Sequence, residues 1–171
     1  MPQKELILPM ALHSYAPVKP PLRNMKIRFA EEKDLSSIIE LCKAHAQYEK
    51  SSFKEENKIQ LLSKYIFDPD SNIKCLIAES DTEIIGYATF FKQFSTWDAG
   101  YYMYVDCLFL KENARGNGTG KQIMELIRVL SKEQDCQIIQ WQTPSFNTGA
   151  IKFYSRLGAE RKNKERFFWK V

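Results

Sequence analysis

The sequence predicts one mixed α/β (α+β) domain, and three observations carry that expectation. Apolar segments of strand length alternate with segments of helical periodicity along most of the chain. One apolar segment, Tyr101 to Leu110, runs into a glycine-rich turn and then an amphipathic stretch, Lys121 to Leu130. The 171 residues are close to the usual size of one globular unit and long enough to bury a sizeable core.

The elements follow in order. Residues 1 to 24 hold five prolines (Pro2, Pro9, Pro17, Pro20, Pro21) without periodicity, and are expected to form an extension outside the domain of residues 25 to 171. Lys26 to Phe29 reads as a first strand. Asp34 is placed to cap a helix running to about Lys50, with Leu35, Ile38, Ile39, Cys42 and Ala46 along one face. A second helix is expected over Lys54 to Phe67, ending before Asp68-Pro69. Ile73 to Glu79 and Glu83 to Phe94 form a hairpin about Ser80-Asp81-Thr82. Tyr101 to Leu110 is the next strand, and a helix follows to about Ser131. Gln137 to Gln142 is a short strand, Asn147 opens the last helix, and Arg166 to Val171 closes as a sixth strand.

Composition excludes several classes. Hydrophobic residues make up 44% and charged residues 27%, the balance of an ordinary water-soluble domain. There is no apolar run long enough to span a membrane, and Pro9 interrupts Leu6-Ile7-Leu8 where a secretory signal would continue. The four cysteines (Cys42, Cys75, Cys107, Cys136) are at least 29 residues apart and, with His13 and His45, offer no metal-ligand spacing. Reduced thiols in the cytoplasm are the expectation. The net charge of +4 is dispersed. Its one basic run, Arg161 to Arg166, reads as a solvated turn rather than a nucleic-acid surface.

Arg115-Gly116-Asn117-Gly118-Thr119-Gly120 carries the chemistry. A strand, a glycine-rich turn and a helix N-terminus together make a phosphate site. Backbone N–H groups converge where no Cβ intervenes, and the helix dipole favours an anion. A Walker A loop would need glycine at 115 and serine or threonine after Lys121, where Gln122 stands. A dinucleotide fingerprint needs two residues between its second and third glycines, and only Thr119 separates Gly118 from Gly120.

The spacing that remains is Arg-x-x-Gly-x-Gly. Twenty-seven residues beyond Gly120 comes Asn147-x-x-Ala150-x-x-Phe153-Tyr154-x-x-x-Gly158-Ala159. On its own this reads as a helix capped by Asn147 and ended by Gly158. The two motifs, in this order with one strand between them, resemble the GCN5-related N-acetyltransferase (GNAT) superfamily over about residues 25 to 171. That resemblance implies a mixed, mostly antiparallel central sheet flanked by helices, in the order β-α-α-β-β-β-α-β-α-β. It also implies acetyl-coenzyme A as cosubstrate, no metal, and frequently a homodimer.

Site residues are implied in the same way. The pyrophosphate would lie on the amides of residues 116 to 121 (Gly116, Asn117, Gly118, Thr119, Gly120, Lys121), with Lys121 and Arg115 adding charge and Asn147 also on the coenzyme side. The pantetheine arm would follow the backbone of Leu108, Phe109 and Leu110, where a backbone N–H polarises the thioester carbonyl. Tyr154 would give a proton to the leaving thiolate, since a phenol with a pKa near 10 is protonated at neutral pH. The alternative for Tyr154 is packing. Asp106 interrupts an apolar strand and is a candidate base for the amine; a salt-bridged aspartate is the other reading. Cys107, expected to point away from Asp106, reads as packing.

Within the superfamily, Gln47-Tyr48-Glu49, Phe94-Ser95-Thr96-Trp97-Asp98 and the interval from Trp97 to Asp106 resemble the diamine and spermidine/spermine acetyltransferases. Glu49, Trp97 and Asp98 would then bind a polycation, the indole contributing a cation–π contact. Cys107 replaces that group's second acidic residue. A thialysine-like amino acid, an aminoglycoside, a protein N-terminus, or a domain that only senses coenzyme A stay open as alternatives.

Overall fold

A computed structural model describes residues 24–54, 56–81 and 83–171. The proline-containing segment 1–23 lies outside the described residues, and so does any role for it. Among the described residues five strands and four α-helices follow in the order β1 (Lys26–Phe29), α1 (Leu35–Tyr48), α2 (Lys58–Phe67), β2 (Lys74–Ser80), β3 (Glu83–Ser95), β4 (Gly100–Leu110), α3 (Thr119–Glu133), β5 (Ile138–Trp141) and α4 (Thr148–Arg156). The strands lie side by side in chain order. The first four form an antiparallel meander, and β5 joins β4 in parallel after the α3 crossover. This is the mixed, mostly antiparallel sheet expected.

Alternation along the strands gives two cores, one on each face. Leu76, Ala78, Ala88, Phe90, Met103 and Val105 meet Ile123, Met124 and Ile127 of α3, with Phe153 of α4 and Leu157 just after it at the margin. Cys75, Ile77, Tyr87 and Phe109 meet Ile38 and Leu41 of α1 on the other face. Gly86 lies opposite Leu110, where a Cβ would come within 2.3 Å of the Leu110 side chain and 2.7 Å of the Phe109 carbonyl oxygen. Only glycine fits there.

Three expectations are corrected. Asp34 stands at the N-cap position of α1, yet its carboxylate makes no cap bond. A 3-10 turn, Glu32–Asp34, precedes the helix, and Asp34 instead accepts from Arg28 at 2.6 Å and from the Glu31 backbone N–H at 2.8 Å. The bidentate pair with Arg28, ion to ion, takes both carboxylate oxygens and leaves none for the cap. The second helix starts at Lys58 rather than Lys54, because Asn57 takes a left-handed conformation that an α-helix cannot contain.

The third correction is the closing strand: residues 157–171 form none. Phe167, Phe168 and Trp169 are 81–97% exposed. Three consecutive aromatics lack the period-two alternation that would give a strand one buried face. By contrast α4 ends as expected. Gly158 has φ +84, and the Ala159 N–H donates to the Tyr154 carbonyl at 3.2 Å.

Candidate active site

The central strand opens a cleft. β4 pairs with β3 along its whole length, but with β5 only from Tyr102 to Val105, where β5 ends at Trp141. Among the described residues, the edge facing β5 has no strand partner from Asp106 to Leu110. Arg115 Nε donates to the Leu110 carbonyl at 2.9 Å, so part of this edge is held by the loop that follows it.

A β-bulge sits where the edge becomes free. Thr89 is opposite Cys107 and Phe90 opposite Val105, which leaves Asp106 as the extra residue. The bulge reverses the strand's facing. Val105 belongs to the α3 core, whereas Cys107 and Phe109 belong to the α1 core. Asp106 is thereby exposed, not buried as its apolar neighbours suggest. Cys107 does not point away from it, since its Sγ lies 3.7 Å from Asp106 Oδ2. Burial pushes the Cys107 thiol up to about 12, so it is no thiolate nucleophile at neutral pH.

The glycine loop has the form of an anion cradle. Gly116 and Gly118 have φ +87 and +83, and a Cβ on either would meet nothing within 4 Å. Backbone conformation, not crowding, requires glycine there, and the space above stays open. Gly120 differs: its Cβ would come within 3.2 Å of Phe153, so it lets α3 pack on α4. Asn117 Nδ2 and Thr119 Oγ1 are buried without a hydrogen-bond partner among the described residues. Buried polar groups are normally paired. With the free N–H groups of the first turn of α3 they form a donor set that fits a pyrophosphate. The Arg115 side chain turns away from this cradle, its guanidinium 4.2 Å from the Tyr48 ring and 5.4 Å from that of Phe109. Lys121 lies exposed in the first turn of α3.

Tyr154 projects from α4 against Trp141 and Phe153, with ring centroids 4.9 and 5.0 Å apart. Burial pushes its phenol up to about 12, and charge at Glu49 and Cys107 adds to the shift. It is therefore a protonated donor across the neutral range, beside the bulge and the end of α1. Asn147 caps α4, its Oδ1 accepting from the Ala150 N–H at 3.1 Å. The same oxygen accepts from Tyr48 Oη at 3.2 Å.

Glu49 follows the last turn of α1, half-buried, with Oε1 3.4 Å from His45 Nε2. Charges on Glu49, Arg115 and Asp106 all reach His45. Trp97 and Asp98 do not join them within this chain. They occupy the β3–β4 turn, about 20 Å along β4 from Asp106 at the usual rise per residue. There Trp97 is 94% exposed, Asp98 accepts from Ser95 Oγ at 2.7 Å, and both border a shallow depression with Tyr102, Gln140 and Lys164. Sequence motifs gave no hint of His45 as a site residue, and Tyr48 entered only as part of Gln47-Tyr48-Glu49. The i, i+4 spacing of His45 and Glu49 on a helix was the one available signal.

Comparison with known proteins gives a consistent likeness. The model of the acetyltransferase (GNAT) family matches residues 35–159. The chain is 27% identical over 142 residues to the thialysine N-epsilon-acetyltransferase of Bos taurus, covering 78% of this chain and 83% of that protein. It is 24% identical over 134 residues to a D-amino-acid N-acetyltransferase of Saccharomyces cerevisiae, covering 77% and 82%. Its fold is similar to that of an aminoglycoside acetyltransferase from an uncultured soil metagenomic sample, solved with sisomicin. That likeness has a TM-score of 0.73 at 17% identity, over 86% of this chain and 96% of that one.

Proposed function

The chain belongs to the acetyltransferase (GNAT) family, and from that premise we propose that it acetylates a primary amine of a small aliphatic cation. Its class is plain: an N-acetyltransferase that draws on acetyl-coenzyme A and acts on amines. The acceptor, the site roles and the order of events are our reading. The observation that carries it is the edge of β4 left unpaired after Val105, with Asp106 at its bulge and Tyr154 within electrostatic reach of Glu49 and Cys107.

Acetyl-coenzyme A supplies the activated acyl thioester. The cradle from Gly116 to Lys121 would hold its pyrophosphate, with Asn117 Nδ2 and Thr119 Oγ1 gaining the partners they lack. The backbone of Leu108, Phe109 and Leu110 would align the pantetheine arm and polarise the carbonyl. Glu49 and Asp106 attract the ammonium. Asp106, exposed at the bulge, takes its proton through water, because only the neutral amine is nucleophilic. Tyr154 gives its proton to the sulfur that leaves. Attack is direct, from an amine and a thioester bound together; burial keeps Cys107 protonated and unsuited to carry the acetyl group.

A diamine or polyamine suits two carboxylates at one cleft mouth. A diamino acid such as thialysine is the second reading, favoured by the relatives. We further propose a cytoplasmic homodimer, in which the exposed Phe167, Phe168 and Trp169 supply apolar contact. An acceptor panel tests the substrate: putrescine, spermidine, thialysine, ornithine, kanamycin and a peptide, scored by kcat/KM. Preference for putrescine or spermidine supports the lead, preference for thialysine or ornithine selects the second reading, and preference for kanamycin or the peptide refutes both.

A further inference from the structure

Behind the cleft runs a line of polar groups that neither motif accounts for. His45 lies in the last turn of α1, its side chain 16% exposed and its ring stacked 5.1 Å from that of Phe109. Nδ1 is 3.1 Å from Tyr87 Oη, and Nε2 is 3.4 Å from Glu49 Oε1. The two ring nitrogens thus face one buried phenol and one cleft carboxylate.

The partners decide the tautomer. Tyr87 is 2% exposed, and burial raises its phenol far above the ordinary range, so the hydroxyl keeps its proton. Of its neighbours, the imidazole nitrogen is a better acceptor than the sulfurs of Cys42 and Cys107. Nδ1 therefore accepts from Tyr87, and the neutral ring carries its proton on Nε2, aimed at Glu49. We propose that His45 is a positioning residue of the acceptor site: its Nε2–H orients the Glu49 carboxylate toward the incoming ammonium, and a neutral ring puts no competing positive charge beside it. This rests on Glu49 binding the acceptor amine.

Four titratable or charged groups act on the ring: Glu49 just after α1, Tyr87 on β3, Asp106 on β4 and Arg115 from the loop, while Cys42 and Cys107 lie against Tyr87. Burial lowers the His45 pKa, Glu49 and Asp106 oppose that, and Arg115 adds to it. Burial raises both thiols. His45 is thus the group with an ordinary titration range nearest neutrality. Protonated, it would pair with Glu49 and place a second positive charge where the substrate ammonium must bind. Amine KM would rise as pH falls through the His45 pKa.

Two substitutions separate positioning from bulk structure. His45→Gln retains an acceptor for Tyr87 and a donor for Glu49 but does not titrate. His45→Leu keeps an apolar filler and loses both bonds. With the preferred amine of the panel, putrescine or thialysine, H45L should raise amine KM about tenfold near neutral pH and leave acetyl-coenzyme A KM unchanged. H45Q should keep amine KM within about threefold of the native value and lose the acidic rise. In an E49Q background H45L should add nothing. A native acidic limb in H45Q, or effects of H45L and E49Q that multiply, would overturn the proposal. Native amine KM in E49Q would instead remove Glu49 from the acceptor site, and the proposal with it. Should H45L fail to fold by circular dichroism, the H45Q pH profile decides alone.

Discussion

Tyr48 donates its hydroxyl proton to Asn147 Oδ1 at 3.2 Å, joining the end of α1 to the N-terminus of α4 across the cleft. Asn147 Oδ1 already accepts from the Ala150 N–H, so one oxygen serves the helix cap and the inter-helix tie. The Tyr48 ring also lies under the Arg115 guanidinium and beside Phe109. One side chain therefore fixes three borders of the site: α1, the glycine loop and α4.

Removing either end of that tie should have unequal effects. Tyr48→Phe deletes one neutral hydrogen bond and should cost about 0.5–1.5 kcal/mol. Asn147→Ala deletes the cap as well, and should cost about 1–2 kcal/mol from the cap alone. Urea unfolding of both variants measures the order. Tyr48→Phe destabilising more than Asn147→Ala would contradict the shared role of Oδ1.

Gly118→Asp tests the cradle. The substitution puts an anion where the pyrophosphate is assigned, at a φ of +83 that only glycine adopts freely. Coenzyme A affinity, measured by calorimetry, should fall about tenfold or more. Unchanged affinity would move the coenzyme elsewhere.

Tyr154→Phe should lower kcat about ten- to a thousandfold with little change in acetyl-coenzyme A KM, the signature of a lost proton donor. Burial raises the Tyr154 pKa to about 12, so the native rate should show no alkaline loss from this group until pH approaches that value. A fall in rate near pH 10 that disappears in Tyr154→Phe would show the phenol ionising early and contradict the burial argument.

Stability should depend on Asp34 in acid. Its hydrogen bonds to Arg28 hold the carboxyl below the usual carboxylate range. A depressed folded pKa stabilises the fold at pH above the unfolded value, near 4. That contribution is lost as pH falls through the folded value. Asp34→Asn should cost about 2–3 kcal/mol near neutral pH, and the difference from the native protein should shrink as pH falls below the unfolded carboxyl value toward the depressed folded one. A difference constant over that range by urea unfolding would refute the linkage.

Local signals made much of this legible. The Gly116, Gly118 and Gly120 spacing marks the loop because positive φ and close packing are glycine properties visible in any sequence. Asn147 and Gly158 bracket α4 because caps are set by the residues at the ends. What escaped depends on pairing between distant strands. The bulge at Asp106 exists only through the register of β4 against β3, so its exposure and the facing of Cys107 were invisible. His45 gains meaning from Tyr87, 42 residues away. Arg166 to Val171 has strand-forming residues, yet propensity supplies no neighbour to pair with.

The central claim is acetyl transfer to a small amine with Tyr154 as proton donor, and product analysis tests it most directly. Protein, acetyl-coenzyme A and putrescine or thialysine should yield the N-acetylated amine and free thiol in equal amounts, at a rate falling at least about tenfold in Tyr154→Phe. Tight coenzyme binding with no acetylated product from any panel amine, or an undiminished rate in Tyr154→Phe, would contradict it.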